Sequence, residues 1–386
     1  MRVLHVVDSL DPARGGPPQV VTRLAGAQIG LGHEVTVLTR DEPARKAAIA
    51  ESIESLPNAS SIRIETTAGG GLGDRVLGSP AAAWARAHGS GFDFAHLHAV
   101  WGSLPHGAAK GLRARGVPYT LCPHGMLDHW SMSQSRLKKK IHMALISGPT
   151  LRGCAFIHAL NEHEAACVDA MGFGCPSEVL NNGVFREEYD ELPSPGSFRA
   201  GFPAVGDSPY VVFISRLHFK KGLDHLAGAF EAVAPKHPEA HLVVIGPDDG
   251  AQASFEASIR EAGLESRVHL TGPMYGREKL AALVDASCFC LPSRQEGFSI
   301  AICEALACGT PVVITEECNF REVAEAGVGV VSPLSTENVA AGLDRVLSDP
   351  EAGRAMGARG REMILDRFTW PSIAARSIEL YEKYRG

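Results

Sequence analysis

The sequence predicts an α/β protein with two doubly wound domains, each built on a mostly parallel sheet covered by helices. Short apolar runs typical of buried strands alternate with helical patterns through the first half of the chain, and the alternation restarts after a turn-rich stretch. The length of 386 residues is enough for two domains, each with its own core. These observations place the chain in the α/β class before any motif is considered.

The first half shows the alternation clearly. Its strand-like runs lie at 3–8, 34–39, 62–66, 94–98, 119–123, 155–160 and 177–180. Helical patterns separate them near 18–30, 80–88, 104–115, 134–146 and 162–171. Turn-forming residues then cluster at 181–183, 192–196 and 203–207, and turn chemistry at this density predicts an interdomain linker.

The second half repeats the pattern. Predicted strands lie at 210–215, 241–246, 268–271, 288–292, 311–315 and 329–332. Predicted helices lie near 223–234, 253–262, 279–285, 300–308, 336–347 and 352–367, and a last helix follows at 370–384. We therefore expect an N-terminal domain over 1–190 and a C-terminal domain over 191–369, with a cleft between them.

Composition and charge exclude several classes of protein. The net charge of −7 argues against a nucleic-acid binder that works by bulk charge, so we expect no nucleic-acid partner. The nine cysteines show no CxxC pair and no spacing with histidine that is typical of zinc, which favours buried, reduced thiols. The chain enters a strand at once and shows no signal peptide or membrane span, so we expect a cytoplasmic protein.

The most informative segment runs from Glu296 to Glu304. It follows the predicted strand 288–292 and leads into a helix that stops at Gly309. One carboxylate therefore lies in the loop at the carboxyl end of a strand, where open α/β sheets bind ligands, and the other lies a little over one turn into the helix. Backbone N–H groups near Phe298 and Ser299 suit a phosphate. Two carboxylates beside an anion site indicate a ligand with hydroxyls on both sides of a phosphate, such as a sugar nucleotide.

A second segment, from Phe213 to Leu223, begins at the end of the first strand of the C-terminal domain. Arg216 and Lys221 flank a loop that opens onto a helix, and a guanidinium fork with a lysine point charge suits a diphosphate. Two basic residues are more often solvated surface cations. Their position at the ligand edge of the sheet favours a binding role here.

The loop Ser215-Arg216-Leu217 with Lys221-Gly222, followed by Glu296 and Glu304, resembles the retaining glycosyltransferases of family 4. That family has the GT-B fold, in which two Rossmann-like domains face each other, and the resemblance covers nearly the whole chain. It implies that Arg216 and Lys221 neutralise the donor diphosphate. It further implies the contacts of four more positions with the donor: Glu304 with the ribose hydroxyls, Glu296 with the donor sugar, and the backbone N–H groups of Phe298, Ser299 and Ile300 near the phosphates or sugar.

The resemblance extends to the N-terminal domain. Gly15-Gly16 follows the first strand and resembles the glycine pair that the family brings close to the donor phosphate and the acceptor; glycine allows this because it lacks a Cβ. The following Pro17-Pro18 departs from the family pattern, and a plain strand-to-helix turn is the alternative. The final helix, 370–386, is implied to pack back on the N-terminal domain.

Histidines end two neighbouring predicted strands of the N-terminal domain. His124, in the sequence Cys-Pro-His-Gly-Met, matches the histidine that family members place beside the reacting sugar. His96 and His98 fall on one face of their strand. A metal site there lacks an evident third ligand, so we expect these two side chains to line the cleft or belong to the core.

The resemblance implies transfer of a sugar from a UDP- or GDP-sugar to a hydroxyl of a glycan or lipid-linked acceptor, with the anomeric configuration retained. No Asp-x-Asp motif occurs in the chain, which favours a transferase without metal or cofactor. The segment 130–143 is basic and amphipathic. It indicates either peripheral contact with the anionic inner face of the cytoplasmic membrane or a solvated helix face.

Other functions are compatible with parts of this pattern. A nucleotide-sugar epimerase of the same fold would turn over its sugar nucleotide without an acceptor. A two-lobed small-molecule binding protein would share the architecture, although the set formed by Arg216, Lys221, Glu296 and Glu304 argues against it. The loop after the first strand lacks the GxGxxG pattern, which disfavours a nicotinamide dehydrogenase.

Overall fold

The computed structural model describes residues 1–54, 56–68, 74 and 78–386. The chain divides into two compact units. The first comprises Met1–Asn182 together with Trp370–Gly386, and the second comprises Gly183–Thr369. The division falls before the boundary at 190 expected from the turn-rich sequence, because the Val184 N–H donates to the carbonyl of Phe368 (3.0 Å) and the Arg361 guanidinium donates to that of Tyr189 (2.6 Å).

The first unit is built on a seven-stranded parallel sheet. In chain order its strands are β1 (Arg2–Val6), β2 (Glu34–Arg40), β3 (Arg63–Thr67), β4 (Phe94–His98), β5 (Tyr119–Cys122), β6 (Phe156–Ala159) and β7 (Ser177–Val179). Their order across the sheet is β3-β2-β1-β4-β5-β6-β7, and every pair is parallel. Strands β2 and β3 are added on one side of β1, and β4 to β7 are added on the other side. The carboxyl ends of β1 and β4 are therefore a topological switch point.

Helices of the first unit follow the strands as predicted, and the short helices His129–Ser133 and Gly148–Leu151 are additional. The α-helices are Gly16–Gly30, Lys46–Glu54, Ser79–His88, Ser103–Arg113, His129–Ser133, Arg136–His142, Gly148–Leu151, Glu162–Asp169 and Trp370–Tyr384. Lys46–Glu54 was not predicted. The helix expected over 134–146 begins at Arg136, because Ser135 before it adopts a left-handed conformation (φ 52°), and it continues as a π-helical turn at Met143–Ser147.

Alternation along the strands sends side chains to two cores, one on each face of the first sheet. Leu4 and Val6 of β1 pack in one core, whereas Val3 and Val7 pack in the other. The second core is covered by the helix Gly16–Gly30 and by the C-terminal helix, whose Tyr381 is fully buried. His5 alternates along β1 with Leu4 and Val6 of the other core, and His96 and His98 alternate in the same way along β4. These three histidines therefore lie on the face of the sheet that the C-terminal helix covers.

The second unit has a six-stranded parallel sheet. Its strands are β8 (Tyr210–Ile214), β9 (His241–Ile245), β10 (Val268–Gly272), β11 (Cys288–Leu291), β12 (Val312–Thr315) and β13 (Gly329–Ser332), in the order β10-β9-β8-β11-β12-β13. The α-helices are Ser197–Gly201, Leu223–Val233, Gln252–Glu261, Gly276–Val284, Ile300–Ala307, Glu322–Glu325, Thr336–Ser348 and Pro350–Arg367. The switch point of this sheet lies between β8 and β11.

The stretch expected to be a linker is folded into the second unit. The carboxylate of Asp285 accepts hydrogen bonds from the backbone N–H groups of Gly196, Phe198 and Arg199, which fixes the short helix Ser197–Gly201. Among the residues that the structure describes, no helix has both the length and the apolar character to cross a bilayer.

Candidate active site

In the second unit, the predicted donor-binding residues lie at the carboxyl edge of the sheet, around its switch point. The loop with Arg216 and Lys221 follows β8, and the loop with Glu296 follows β11, which pairs with β8. Gly222 allows the two loops to touch. Its φ is 70°, and a Cβ at this position would lie 1.8 Å from the carbonyl oxygen of Pro292. Glycine is therefore required where the loops cross.

Lys221 and Glu296 form a largely buried ion pair. The Nζ atom of Lys221 lies 2.6 Å from Oε1 of Glu296, and the two side chains are only 14% and 8% exposed. The Ser293 hydroxyl donates to the same oxygen at 2.6 Å. Burial alone would raise the pKa of Glu296, but the ammonium of Lys221 and these hydrogen bonds outweigh burial and hold the pKa below its ordinary value. Glu296 is therefore ionised at neutral pH and held by Lys221 and Ser293.

Arg216 and Glu304 each have a different partner. The guanidinium of Arg216 lies 2.7 Å from a carboxylate oxygen of Asp249 and is about half exposed. Glu304 lies in the helix Ile300–Ala307 and accepts from Nζ of Lys279 at 2.7 Å. Thus the structure brings Lys221 and Glu296 into direct contact, and it pairs the other two site residues with Asp249 and Lys279.

Aromatic packing fixes the start of the helix Ile300–Ala307. Ser299 is the residue before its first turn, and the buried ring of Phe298 packs against Phe320 (centroids 4.6 Å apart) and Phe368 (5.9 Å). The first N–H groups of any α-helix have no acceptor within the helix, so they can bind an anion. Packing of Phe298 fixes where those groups lie.

In the first unit, Gly15 and Gly16 occupy the turn from β1 into the helix Gly16–Gly30. Gly15 has φ 97° and ψ −145°, a region that favours glycine. A Cβ added to Gly16 would meet no described atom within 4 Å, so the backbone borders open space. The adjoining Pro17 and Pro18 fall in the first turn of the helix, where the N–H that proline lacks would have no helical partner.

His124 stands in a strained turn after β5. It has φ 55°, and Gly125 after it has φ 73°. Glu164 holds this turn: one carboxylate oxygen accepts from the Gly125 N–H (2.6 Å) and the other from the Leu160 N–H (2.7 Å). Burial raises the pKa of Glu164 to about 7. Glu164 could not be found from the sequence, because no spacing in the chain links it to His124.

His96 and His98 do have a third histidine beside them, so the expectation that no further ligand is near was wrong. His5 of β1 is the parallel-sheet neighbour of His96, and nitrogen atoms of the three buried side chains lie within 4.8 Å of one another. These nitrogens already contact other imidazoles, however. Nδ1 of His5 lies 3.0 Å from Nε2 of His98, and Nε2 of His96 lies 3.0 Å from Nδ1 of His158. Their lone pairs and protons point at one another, which favours a hydrogen-bonded network over a shared metal ion.

Comparisons with known proteins agree with this architecture. Residues 15–183 match the family model described as "Glycosyl transferase 4-like domain", and residues 197–363 match "Glycosyl transferases group 1". A GDP-mannose:cellobiosyl-diphosphopolyprenol alpha-mannosyltransferase from Xanthomonas campestris is 24% identical over 100% of this chain and 98% of its own. An uncharacterised glycosyltransferase from Methanocaldococcus jannaschii is 27% identical over 53% of each chain. The chain spans about half the length of several curated relatives that it matches.

Solved structures show the same fold. The Anabaena protein HepE, crystallised with UDP and glucose, superposes with a TM-score of 0.79 at 19% identity, over 99% of this chain and 100% of HepE. The fold and the matched models define the class: a glycosyltransferase with two Rossmann-like parallel-sheet domains, the GT-B fold. Within that class, the chain belongs to glycosyltransferase family 4.

Proposed function

We propose that this protein transfers a sugar from a UDP- or GDP-sugar to a hydroxyl of a glycan or lipid-linked acceptor, with retention of the anomeric configuration. The observation that carries the proposal is the ion pair of Lys221 with Glu296 at the switch point of the second sheet, in the loop that also holds Arg216. The cations suit the diphosphate and the ionised carboxylate suits sugar hydroxyls. Two similar proteins support this donor class: one is a GDP-mannose-dependent mannosyltransferase, and HepE was crystallised with UDP-glucose.

Each donor-binding residue has a role that follows from its contacts. We assign Lys221 and Arg216 to the diphosphate, because a polyphosphate can replace the carboxylates that now neutralise them. Glu296 is assigned to the donor sugar, and Glu304 to the ribose hydroxyls. The N–H groups around Phe298, Ser299 and Ile300 are assigned to the phosphates or the sugar.

The chemistry needs no metal in this proposal. Cations and a helix N-terminus stabilise the charge that develops on the leaving diphosphate. The leaving phosphate itself takes the proton of the acceptor hydroxyl on the same face of the sugar, so the anomeric configuration is retained. Positioning and charge stabilisation are then the contributions of the protein, with His124 beside the reacting sugar and Gly15 and Gly16 close to donor and acceptor.

A panel of sugar nucleotides tests the donor directly. A ligand that binds only the folded protein raises its apparent stability, by about 2.7 kcal/mol at 100 times its Kd. We expect UDP- or GDP-sugars to raise Tm and CMP-sugars to leave it unchanged. Conversion of the bound sugar nucleotide to its epimer without an acceptor would instead identify the epimerase, and no shift with any nucleotide would refute the proposal.

We also propose that the segment 130–143 touches an anionic membrane surface. Leu137 and Ile141, one turn apart, are 72% and 53% exposed, and Leu145 beyond them is 73% exposed. Arg136, Lys138 and Lys140 flank this apolar face. An exposed apolar stripe with basic neighbours fits the interface of an anionic leaflet.

Vesicle flotation distinguishes this proposal from a solvated helix face. We expect binding to vesicles that contain anionic lipid and none to zwitterionic vesicles. Leu137→Ser with Ile141→Ser should abolish it, whereas Leu31→Ser, at an exposed leucine elsewhere (43%), should not. Equal binding of the double variant and the parent protein would contradict the proposal.

A further inference from the structure

Five histidines, one glutamine and one tyrosine form a continuous hydrogen-bonded chain through the first unit. The chain runs from the carbonyl oxygen of Leu180 to the side chain of His124. Its members lie on strands β1, β4 and β6, on two helices and in the turn after β5. They are His158, His96, Tyr381, Gln28, His5, His98 and His124. Apart from His124, none of them has a role in the proposed transfer.

The Leu180 end fixes the direction of the first bonds. A carbonyl oxygen can only accept, so Nε2 of His158 (2.7 Å away) carries a proton. Burial lowers the pKa of His158 to about 4, so the ring is neutral and its Nδ1 is an acceptor. Nε2 of His96 must therefore donate to it at 3.0 Å, which leaves Nδ1 of His96 to accept from the Tyr381 hydroxyl at 2.7 Å.

Tyr381 then fixes the orientation of Gln28. Its hydroxyl proton is committed to His96, so its oxygen accepts from Nε2 of Gln28 at 3.3 Å. The same amide nitrogen donates to the Ser377 hydroxyl (2.9 Å), which itself donates to the Ala374 carbonyl (2.7 Å). The amide oxygen of Gln28 consequently faces the histidine of β1.

The remaining bonds follow in one direction. Oε1 of Gln28 accepts from Nε2 of His5 at 2.8 Å, so Nδ1 of His5 accepts from Nε2 of His98 at 3.0 Å. Nδ1 of His98 in turn accepts from Nε2 of His124 at 3.1 Å. The reverse direction would set a lone pair of His5 against the amide oxygen of Gln28. Nδ1 of His124 has no hydrogen-bond partner among the described residues, and the His124 residue is partly exposed.

We propose that this chain of hydrogen bonds holds His124 as the neutral tautomer protonated on Nε2, so that Nδ1 of His124 accepts a hydrogen bond from a ligand hydroxyl. His5, His98 and Gln28 are then positioning residues for His124, and the C-terminal helix takes part through Tyr381. An acceptor nitrogen recognises a donating sugar hydroxyl and disfavours a phosphate oxygen. The choice of a sugar as ligand rests on the proposed function; the tautomer does not.

Nitrogen NMR of the full chain, labelled with ¹⁵N-histidine, tests the tautomer without any substrate. Protonated and unprotonated imidazole nitrogens resonate far apart, and their couplings to ring protons identify Nε2 and Nδ1. We expect all five histidines of the chain to carry the proton on Nε2. A His124 protonated on Nδ1, or a mixture of both forms in the parent protein, would overturn the proposal even if no variant folded.

Variants test the cause. Gln28→Met removes the acceptor for His5 at similar length, and we expect His124 to become a mixture of tautomers. The matched control is Thr150→Val, which removes the partner of another buried histidine, His106, outside the chain (2.9 Å); it should leave the His124 signals unchanged. An unchanged His124 in a folded Gln28→Met protein would show that the chain does not set its tautomer.

Kinetics then separate positioning from general structure. We expect Gln28→Met to lower kcat by about tenfold, of the order of one hydrogen bond, without changing the affinity for nucleoside diphosphate. An equal loss of nucleotide affinity would indicate a merely structural effect. If no sugar nucleotide binds at all, the proposed function fails while the NMR result still decides the tautomer.

Discussion

The ion pairs of the second unit and the histidine chain of the first unit use different chemistry at the carboxyl ends of parallel strands. In the second unit, Lys221 and Lys279 contact carboxylates within 2.7 Å, so charge is present and locally neutralised. In the first unit, burial lowers the pKa of the five histidines in the hydrogen-bonded chain, and neutral hydrogen bonds join them. A charged edge suits an anion, whereas a neutral edge with a defined acceptor suits a hydroxyl.

Removal of the C-terminal helix is expected to have the largest effect, because it opens the histidine chain and the core behind it. A chain that stops before Trp370 loses the buried side chains of Ile378, Leu380 and Tyr381. We expect activity and tertiary order to be lost while far-ultraviolet circular dichroism changes little. Deletion of 385–386 alone is the control, since Arg385 forms only an exposed ion pair with Asp93. Full activity in the long truncation would show that the helix is dispensable.

Substitution of Glu296 and of Glu304 should have different kinetic effects, because one is proposed to contact the donor sugar and the other the nucleotide. Glu296→Gln keeps the shape but removes the charge next to Lys221, and we expect it chiefly to lower kcat. Glu304→Gln should chiefly raise the KM for the donor. Steady-state kinetics with varied donor measure both values. A full-rate Glu296→Gln enzyme would remove this residue from the site.

The neutral imidazoles predict how stability depends on pH. His158 has a pKa of about 4 in the folded protein and 6.5 as its ordinary value, so the unfolded chain binds more protons between these values. The free energy of unfolding should therefore rise with pH from about 4 to 6.5. His158→Gln should reduce that slope by at most about 1.4 kcal/mol per pH unit. Urea titrations at several pH values measure it, with exposed His88→Gln as the control; equal slopes in parent and His158→Gln would contradict a neutral buried His158.

The smallest expected effect is that of a chelator. If the cations of the second unit replace a divalent metal on the leaving diphosphate, excess EDTA should leave the transfer rate unchanged. Loss of activity with EDTA and its return with Mg²⁺ or Mn²⁺ would refute this interpretation of the charged edge.

Sequence patterns predicted the strands of both sheets closely, since each buried parallel strand is a short apolar run bounded by turns. They could not find His5, because it meets His96 only through the strand order, which places β1 beside β4. Lys279 was missed for a similar reason: its contact with Glu304 joins two helices that are distant in the chain. The start of the helix at Arg136 depends on the left-handed Ser135 before it, which helical periodicity does not reveal.

Calorimetric titration with UDP and GDP tests the central claim, that the charged edge of the second unit binds the donor diphosphate. We compare the parent protein with Arg216→Ala and Lys221→Ala, and with Lys236→Ala as a control from an exposed ion pair (67% exposed). Loss of a charge-assisted contact is worth about 2 kcal/mol, so each site variant should bind roughly 30-fold more weakly and the control should match the parent. Unchanged affinity in both Arg216→Ala and Lys221→Ala would contradict the claim.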